Sequence, residues 1–493
     1  MVRSIKNTFA PINRIPPEVL SLIPDYCDKG EGPITLTHVC HYWREIFISR
    51  ASLWTFLNCS NLYKTRVYIE RSRGSPLEIY FITLHHHDAF LLTIPHIGRF
   101  KTLTLYGPSG DILRLTEHFG SPAPLLEKLE ITALGPHPTV LKSSLFGGNL
   151  SSLHELYLSG ALIDTPWQNL SNLTTFDFRW ISGNKISVTQ LLDCFEHAPL
   201  LRKIQLMESL PDSSNAPIER AVSLLHLRLL EISAHVPHSI LLNHLLIPTG
   251  AFMVLRSGFG DGSLPIPDHL PGSLDNLGNI SHTTSISIHV CSGIRMWFNG
   301  PSGGLYVDGS RFTPYASDDR IFWPLNHFRT STTERLAISQ DHDLEHPEVG
   351  ESGAYRILLL MNNLRTLRLT GCIILSFVLA LNPDRNVSST VVCPGLQELI
   401  LIGDEEGFFT DELLEMAKGR ASRGAKLSTI SIIYPREFIS AGVFNLEGYA
   451  SRVEHRMDAT PPTWDTIPDV LCKADINVRA LIGHANGRIS RLF

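Results

Sequence analysis

Residues 153–158 read LHELYL, and residues 126–131, which lie 27 positions earlier, read LEKLEI. In both stretches large apolar residues stand at the first, fourth and sixth positions, and the last two are separated by one residue. Apolar residues that alternate with a period of two are typical of a short strand with one buried face. Each stretch therefore predicts a β-strand.

Seven further stretches have the same spacing, with Ile or Phe at some of the Leu positions. They begin at Phe100, Leu173, Leu201, Leu227, Leu364, Leu396 and Leu427. The copies from Leu126 to Leu227 start 27, 20, 28 and 26 residues apart, and the last three start 32 and 31 residues apart. This pattern resembles leucine-rich repeats, which have a period of roughly 20–29 residues. The resemblance implies an α/β fold in which the repeats stack into an irregular solenoid with a curved parallel sheet.

Helical signals fall between the copies. Ser187 followed by Gln190 forms the pattern of a capping box, and an apolar helical face follows it. Asp411 and Glu412 are suited to a helix N-terminus, and Gly424 can end that helix before the strand predicted at Leu427. Two stretches interrupt the array. Residues 248–273 are rich in Pro and Gly, residues 293–343 are irregular, and we interpret both as loop insertions.

The N-terminal block, residues 11–56, reads PINRIPPEVLSLIPDYCDKGEGPITLTHVCHYWREIFISRASLWTF. Pro16 and Pro17 are suited to the start of a helix, and Glu18 is favoured near its N-terminus. Residues 28–33 predict a loop, and the apolar residues from Leu36 to Phe47 predict one second helix. A block of this size hides few apolar side chains, so part of its apolar surface is expected to stay open for docking.

This block resembles an F-box, whose pattern is Leu-Pro-x-Glu, an apolar run to an Ile, Val-Cys-x-x-Trp and then Leu-Trp. The matching residues are Ile15, Pro16, Glu18, Val19, Leu20, Ile23, Val39, Cys40, Trp43, Arg44, Leu53 and Trp54. Ile15 replaces the usual Leu, and residues 28–33 are richer in Gly and charge than the usual linker. An F-box followed by degenerate repeats is similar to large families of fungal F-box proteins.

The resemblance implies an N-terminal three-helix F-box that binds a Skp-family adaptor and, through it, a cullin. The residues expected to bind the adaptor are Ile15, Pro16, Glu18, Leu20, Ile23, Leu36, Val39 and Trp43. Some of these side chains must instead hold the helices together, and the sequence does not divide the two sets. The implied organisation is a tail (1–10), the F-box (11–56), a connecting segment with a first irregular repeat (57–98), the solenoid (99–458) and a C-terminal tail (459–493).

The composition argues against several other classes of function. The chain has 493 residues, a net charge of −6 and 43% hydrophobic residues, so it lacks the basic field of a nucleic-acid-binding protein. No signal peptide or apolar run long enough for a membrane span is evident. Its eight cysteines form no C-x-x-C pair, and His85–His87 lack ligand partners at metal spacing, so we expect no metal and no cofactor. Residues 258–263 lack the end of a phosphate-binding motif.

The sequence favours a non-catalytic, intracellular substrate receptor of a Skp–cullin–F-box ubiquitin ligase whose repeats bind a target protein. Cytoplasm and nucleus both remain open as its compartment. One alternative is a repeat-based interaction scaffold without a ubiquitin-ligase role. Another is an enzyme that uses the repeats as a scaffold, although no catalytic constellation stands out. A basic cluster of Lys64, Arg66, Arg71 and Arg73 is expected to be a solvated helix face.

Overall fold

The computed structural model describes residues 11–27, 29–83, 87–164, 167–181, 186–211, 220–257, 269–290, 294–309, 325, 328, 330–340, 349–385, 390–403, 410–433, 446 and 448–456. The chain divides into two compact units. Unit 1 comprises Met1–Leu264 and Asp268–Gly278, and unit 2 comprises Pro265–Pro267 and Asn279–Phe493. Each unit is mixed α/β with a mostly parallel sheet.

The α-helices of unit 1 are α1 (Pro17–Leu20), α2 (Gly32–Thr37), α3 (His41–Ser49), α4 (Leu62–Ser72), α5 (His87–Leu91), α6 (Ser109–Thr116), α7 (Val188–His197) and α8 (Ser239–Leu242). Those of unit 2 are α9 (Glu351–Leu359), α10 (Ile374–Leu381) and α11 (Thr410–Ser422). Short 3-10 helices occupy Pro11–Arg14, Ile23–Tyr26, Ala51–Trp54, Ile94–Arg99, Leu145–Gly148, Trp167–Leu170, Gly278–Ile280 and Thr330–Thr332.

The strands of unit 1 are β1 (Phe56–Asn58), β2 (Leu77–Ile82), β3 (Phe100–Pro108), β4 (Lys128–Leu134), β5 (Thr139–Leu141), β6 (Glu155–Ser159), β7 (Ala161–Ile163), β8 (Thr175–Arg179), β9 (Lys203–Met207), β10 (Val222–Ser223), β11 (Leu229–Ala234), β12 (Leu245–Leu246) and β13 (Phe252–Ser257). The main sheet has the order β1-β2-β3-β4-β6-β8-β9-β11-β13, with every pair parallel. Two small parallel pairs, β5–β7 and β10–β12, lie outside it. Strands therefore pair in the order in which they occur along the chain.

The predicted alternation forms the core of this sheet. One register position is completely buried on seven neighbouring strands, and its occupants are Leu103, Leu129, Leu156, Phe176, Ile204, Leu230 and Met253. The residues beside them along each strand point to the opposite face, because successive side chains of a strand alternate. The L-x-x-L-x-L copies in unit 1 thus predicted six of its strands, β3, β4, β6, β8, β9 and β11, and the buried faces of these strands.

Unit 2 contains β14 (Ser285–Val290), β15 (Ile294–Asn299), β16 (Gly304–Gly309), β17 (Arg335–Gln340), β18 (Thr366–Thr370), β19 (Glu398–Ile402), β20 (Leu427–Ile433) and β21 (Ala450–Arg456). The order is β16-β15-β14-β17-β18-β19-β20-β21. β15 runs antiparallel to both of its neighbours, and the other pairs are parallel. The buried register position again holds a row of fully buried residues, which are Ile286, Leu336, Leu367, Leu399 and Ile430.

The interpretation of residues 248–273 and 293–343 as loop insertions is wrong for the four strands that lie within them. The first contains β13, and the second contains β15, β16 and β17. The L-x-x-L-x-L pattern does not include β13, β14 and β17, because the residue three positions before the buried one is not apolar in these strands. Gly250, Thr283 and Thr333 stand where other repeats have Leu. Residues 258–268 and 310–324 lie outside the described residues, as do both predicted tails, 1–10 and 459–493.

Both predicted helix signals are confirmed. The Ser187 hydroxyl accepts the backbone N–H of Gln190, and the Gln190 side chain accepts the backbone N–H of Ser187, which completes the capping box of α7. Helix α11 has Asp411 and Glu412 in its first turn, and Gly424 follows it with a φ of +75°. A left-handed glycine after a helix lets the chain reverse towards the next strand.

Candidate docking site

The N-terminal block has a small apolar core of its own. Leu20, Leu36, Trp43 and Phe47 form one buried cluster, and Phe47 and Leu20 are completely buried. The Trp43 and Phe47 rings meet edge to face with centroids 5.6 Å apart. The side chains of α1, α2 and α3 thus pack against one another, which fixes the positions of the remaining surface residues.

The structure divides the eight expected adaptor-binding residues into two sets. Leu20, Leu36 and Trp43 are at most 7% exposed and belong to the core. The other five reach the surface to different extents: Ile15 and Ile23 are partly buried, whereas Pro16, Glu18 and Val39 are exposed. Contact with a partner is therefore open to the second set, while the first set acts by holding the helices in place.

Several large apolar side chains of the block face solvent. Their exposed fractions are 43% for Ile12, 50% for Val19, 55% for Leu22, 92% for Tyr26 and 51% for Val39. We call these five residues the exposed apolar set. Val19 and Leu22 are three positions apart in a helical turn closed by a hydrogen bond from the Leu22 N–H to the Val19 carbonyl, so their side chains are neighbours. Sequence reasoning did not single out Ile12, Leu22 or Tyr26, because apolar spacing does not reveal which side of so short a helix is covered.

The predicted second helix is two helices. α2 ends at Thr37 and α3 begins at His41, and between them Cys40 is extended with φ −160° and ψ 176°. The Arg44 side chain donates a hydrogen bond from Nε to the Thr37 carbonyl at 3.0 Å, which satisfies one of the free carbonyls at the end of α2. The break places Val39 in the connection between the helices, and this is why its side chain is exposed.

Polar contacts join the block to the first repeat of unit 1. The Tyr68 hydroxyl on α4 donates to the Gly30 carbonyl at 2.6 Å, and Lys64 pairs with Glu31 at 2.5 Å. The Arg71 guanidinium lies 4.3 Å from the centre of the Trp54 ring, a cation–π contact. The interpretation of the basic cluster as a purely solvated face is therefore wrong for Lys64 and Arg71, which make contacts that attach α4 to the block.

The opposite, polar face of the unit 1 sheet carries paired charges. Arg179 binds Asp177 with two hydrogen bonds of 2.7 Å each, and Asp177 is only 1% exposed. Arg256 pairs with Glu231 at 2.9 Å, and the Gln205 amide also donates to Glu231. Buried carboxylates are tolerated when they are ion-paired and hydrogen-bonded in this way. These pairs give the face a fixed charge pattern across β8, β9, β11 and β13.

In the parts of the chain that the structure describes, no three His, Cys, Asp or Glu side chains are placed to hold a metal ion. His85 and His86, and residues 258–263, lie outside those parts. Nor does any described helix combine the length and apolar character needed to cross a bilayer.

The described cysteines are free thiols, and Cys59, Cys194 and Cys393 among them are buried. Burial raises the pKa of the Cys59 and Cys393 thiols to about 12, which keeps both protonated at neutral pH.

Comparison with known proteins adds no family. No protein-family model matches the chain, and no curated protein matches it significantly.

Proposed function

We propose that this protein is a non-catalytic substrate receptor of a Skp–cullin–F-box ubiquitin ligase. In this proposal residues 11–56 are an F-box that binds a Skp-family adaptor, and the parallel strands form a leucine-rich-repeat solenoid that binds a target protein. The observation that carries the proposal is the N-terminal block, which packs its own core and yet leaves five large apolar side chains 43–92% exposed. Exposed apolar side chains that lie next to one another, as Val19 and Leu22 do, favour an interaction site.

The division of the expected adaptor-binding residues into buried and surface sets narrows the proposed adaptor contacts to the surface set. Ile15, Pro16, Glu18, Ile23 and Val39 can reach a partner, and the exposed apolar set extends this surface with Leu22 and Tyr26. Leu20, Leu36 and Trp43 would support the interface from beneath. The polar attachment to α4 would hold the bound adaptor in a defined position relative to the repeats.

The repeat body supports a role in target binding. Sequential parallel pairing and a buried register position that recurs from strand to strand are features of a stacked repeat array, and such arrays offer extended surfaces to partners. A receptor of this kind needs no catalytic residue of its own. It raises the effective concentration of the target near the ubiquitin-charged enzyme that the cullin recruits.

Binding of the full-length chain to a purified Skp-family adaptor, measured by calorimetry, tests the proposal. We expect one-to-one binding that weakens at least about tenfold in Leu22→Glu and Val39→Glu, because each buries a charge in an apolar interface. Leu225→Glu is the matched control, since Leu225 is 75% exposed and lies in unit 1 outside the block. A folded chain that binds no adaptor would exclude the F-box function.

Co-purification separates the receptor from the scaffold without ligase function. A receptor brings down the cullin together with the adaptor, whereas a scaffold brings down the adaptor alone or neither protein. The Val39→Glu variant should lose the adaptor and the cullin together.

A further inference from the structure

Two arginines lie side by side at one edge of the unit 1 sheet. Arg202 and Arg228 immediately precede β9 and β11, which pair in parallel, and the Arg228 backbone N–H donates to the Arg202 carbonyl at 2.7 Å. We call these two residues the arginine pair. Both are exposed, and Lys203, the first residue of β9, adds a third positive charge. Like charges that face each other on neighbouring strands are destabilising, so a bound anion would stabilise this edge.

The positive charges of this edge have no carboxylate beside them. Within the part of the chain that the structure describes, the side chains of Arg202, Lys203 and Arg228 form no ion pair and no hydrogen bond. Asp177 and Glu231 stand two register positions beyond Lys203 on β8 and β11, and each is already paired with another arginine. The three cations can therefore bind an external anion without first breaking an internal contact.

Other strand pairs carry opposite charges at the same position. The Glu127 N–H donates to the Lys101 carbonyl as within the arginine pair, and their side chains form an ion pair at 3.4 Å. Arg365 and Glu334 repeat this arrangement in unit 2, with side chains 4.0 Å apart. Both examples balance a cation with a carboxylate of the neighbouring strand, whereas the arginine pair lacks the carboxylate.

The turns before β9 and β11 expose apolar side chains next to these cations. The turns span residues 198–201 and 224–227, and each is closed by a hydrogen bond from its fourth N–H to its first carbonyl. Leu200 lies in the first turn and is 41% exposed, and Leu225 lies in the second and is 75% exposed. Since β9 and β11 are neighbours, the two leucines lie at the same edge as the arginine pair.

Equivalent turns elsewhere in the chain carry polar residues that contact the preceding turn. At the third turn position, the Ser152 hydroxyl and the Asn172 amide each donate to a carbonyl of the turn before, both at 2.7 Å. Asn363 makes the same contact in unit 2 at 2.6 Å. Ser and Asn are favoured in turns, and Leu is not. Leu200 occupies this third position and cannot donate such a bond, so the polar contacts between turns are replaced there by exposed apolar surface.

Charge and apolar surface together indicate the kind of partner. A segment that carries Asp or Glu beside an apolar side chain is complementary to both features of the edge. The whole chain has a net charge of −6, so a long polyanion such as a nucleic acid, or an anionic bilayer, would be repelled by the rest of the surface. A short acidic segment would contact the positive edge alone.

We propose that this edge binds an acidic segment of a partner protein, with carboxylates on the arginine pair and an apolar side chain of the partner against Leu200 and Leu225. Arginine binds carboxylates through paired, charge-assisted hydrogen bonds. The partner would be the target protein, so the choice of a protein as the occupant rests on the proposed receptor function. The location of the surface and its acidic specificity are new.

Selection of a random peptide display library on the full-length chain, without any adaptor, tests this surface. We expect the enriched peptides to share Asp or Glu near an apolar residue. The affinity of a selected synthetic peptide should fall at least about tenfold in the double variant Arg202→Gln/Arg228→Gln and about threefold in Leu225→Ser. It should also weaken when the NaCl concentration is raised from about 50 mM to about 500 mM, because salt screens exposed charges. The double variant should melt no lower than the wild type, since its like-charge repulsion is removed.

Arg365→Gln and Leu125→Ser are the matched controls. Arg365 stands at the same position relative to its strand as the arginine pair, but Glu334 lies beside it. Leu125 is 45% exposed at the third position of the turn 123–126, and no exposed arginine pair follows it. Each control should change the peptide affinity by less than about twofold.

Three results would each overturn the assignment: enrichment of peptides without acids, equal losses in the double variant and in Arg365→Gln, or no enrichment at all. Single-stranded RNA and phosphatidylserine vesicles are offered in parallel. If either binds and acidic peptides do not, the edge recognises a different polyanion and the proposal is wrong. Because no adaptor is present, these outcomes are independent of whether the N-terminal block binds one.

Discussion

The Tyr68 hydroxyl donates a hydrogen bond to the Gly30 backbone carbonyl at 2.6 Å, across 38 positions of sequence. Tyr68 is 1% exposed, and its ring meets that of Trp54 edge to face with centroids 5.0 Å apart. One side chain of α4 therefore contacts both the loop before α2 and the 3-10 helix that ends the block. The orientation of the N-terminal block relative to the first strands depends on this residue.

Tyr68→Phe keeps the ring and removes this hydrogen bond. We expect the free energy of unfolding, measured with urea, to fall by about 1 kcal/mol, because the Gly30 carbonyl loses its partner in a partly buried place. Amide hydrogen exchange near residues 29–37 should become faster. Tyr63→Phe is the control on the same helix, since Tyr63 is 76% exposed, and it should leave both measurements unchanged. Equal effects of the two substitutions would contradict the assigned role of Tyr68.

Trp43→Ala and Pro16→Ala should separate the packing and docking functions of the block. Trp43 is 7% exposed within the apolar cluster, so its truncation should cost about 3–5 kcal/mol of stability. Pro16 is exposed, and Pro16→Ala should change stability by less than about 1 kcal/mol while weakening binding to a Skp-family adaptor. Calorimetric binding and urea unfolding of both variants check this. Full adaptor affinity in both variants would contradict the proposed interface.

A strand and its buried face can be predicted from sequence when a few neighbouring residues determine them. The alternation in LEKLEI or LHELYL is a property of six residues, so it predicted β4 and β6 and their buried faces. In β14 and β17 the alternation is also present, but a buried Thr replaces the preceding Leu, and the repeat pattern was therefore missed. The antiparallel β15 falls between Gly-rich segments, and its pairing depends on partners that local pattern does not identify.

The candidate site was less predictable. Val39 and Trp43 are four positions apart and both apolar, which on one continuous helix would place them on the same face. The extended Cys40 separates them, so that Val39 is 51% exposed and Trp43 is in the core.

Gly160→Ala should be destabilising, because of a close backbone approach. Gly160 follows β6 with a φ of +61°, and a Cβ there would lie 2.3 Å from the Ala133 carbonyl oxygen. Both the left-handed backbone and the clash oppose a side chain, and we expect a loss of at least about 1 kcal/mol in urea unfolding. Gly120→Ala is the control, because a Cβ at Gly120 would meet no atom within 4 Å. A Gly160→Ala variant as stable as the control would contradict this reasoning.

A buried histidine pair in unit 1 should make stability depend on pH. His238 and His269 are completely buried with their Nδ1 atoms 3.1 Å apart, and His269 Nε2 lies 3.1 Å from the Ser257 hydroxyl. One ring must donate and the other accept, so the contact requires at least one neutral ring. Burial, and secondarily the neighbouring His269, lowers the pKa of His238 well below its usual value, although a backbone hydrogen bond with Ala234 opposes this.

The direction of this pH dependence follows from the protonation of His238 in the folded and in the unfolded chain. Below about pH 6.5 the unfolded chain binds a proton at His238 and the folded chain does not, so stability is retained above this pH and lost as the pH falls. Each pH unit below 6.5 should cost about 1.4 kcal/mol for one such histidine. Urea unfolding at pH 7.5 and 5.5 measures this loss of stability.

In His238→Gln the absolute stability should be lower, but its decrease between pH 7.5 and 5.5 should be smaller than in the wild type by about 1.4 kcal/mol. His118→Gln, which replaces an exposed histidine of the same unit, should keep the wild-type pH dependence. If His238→Gln loses as much stability on acidification as the wild type, the pH dependence arises from other groups.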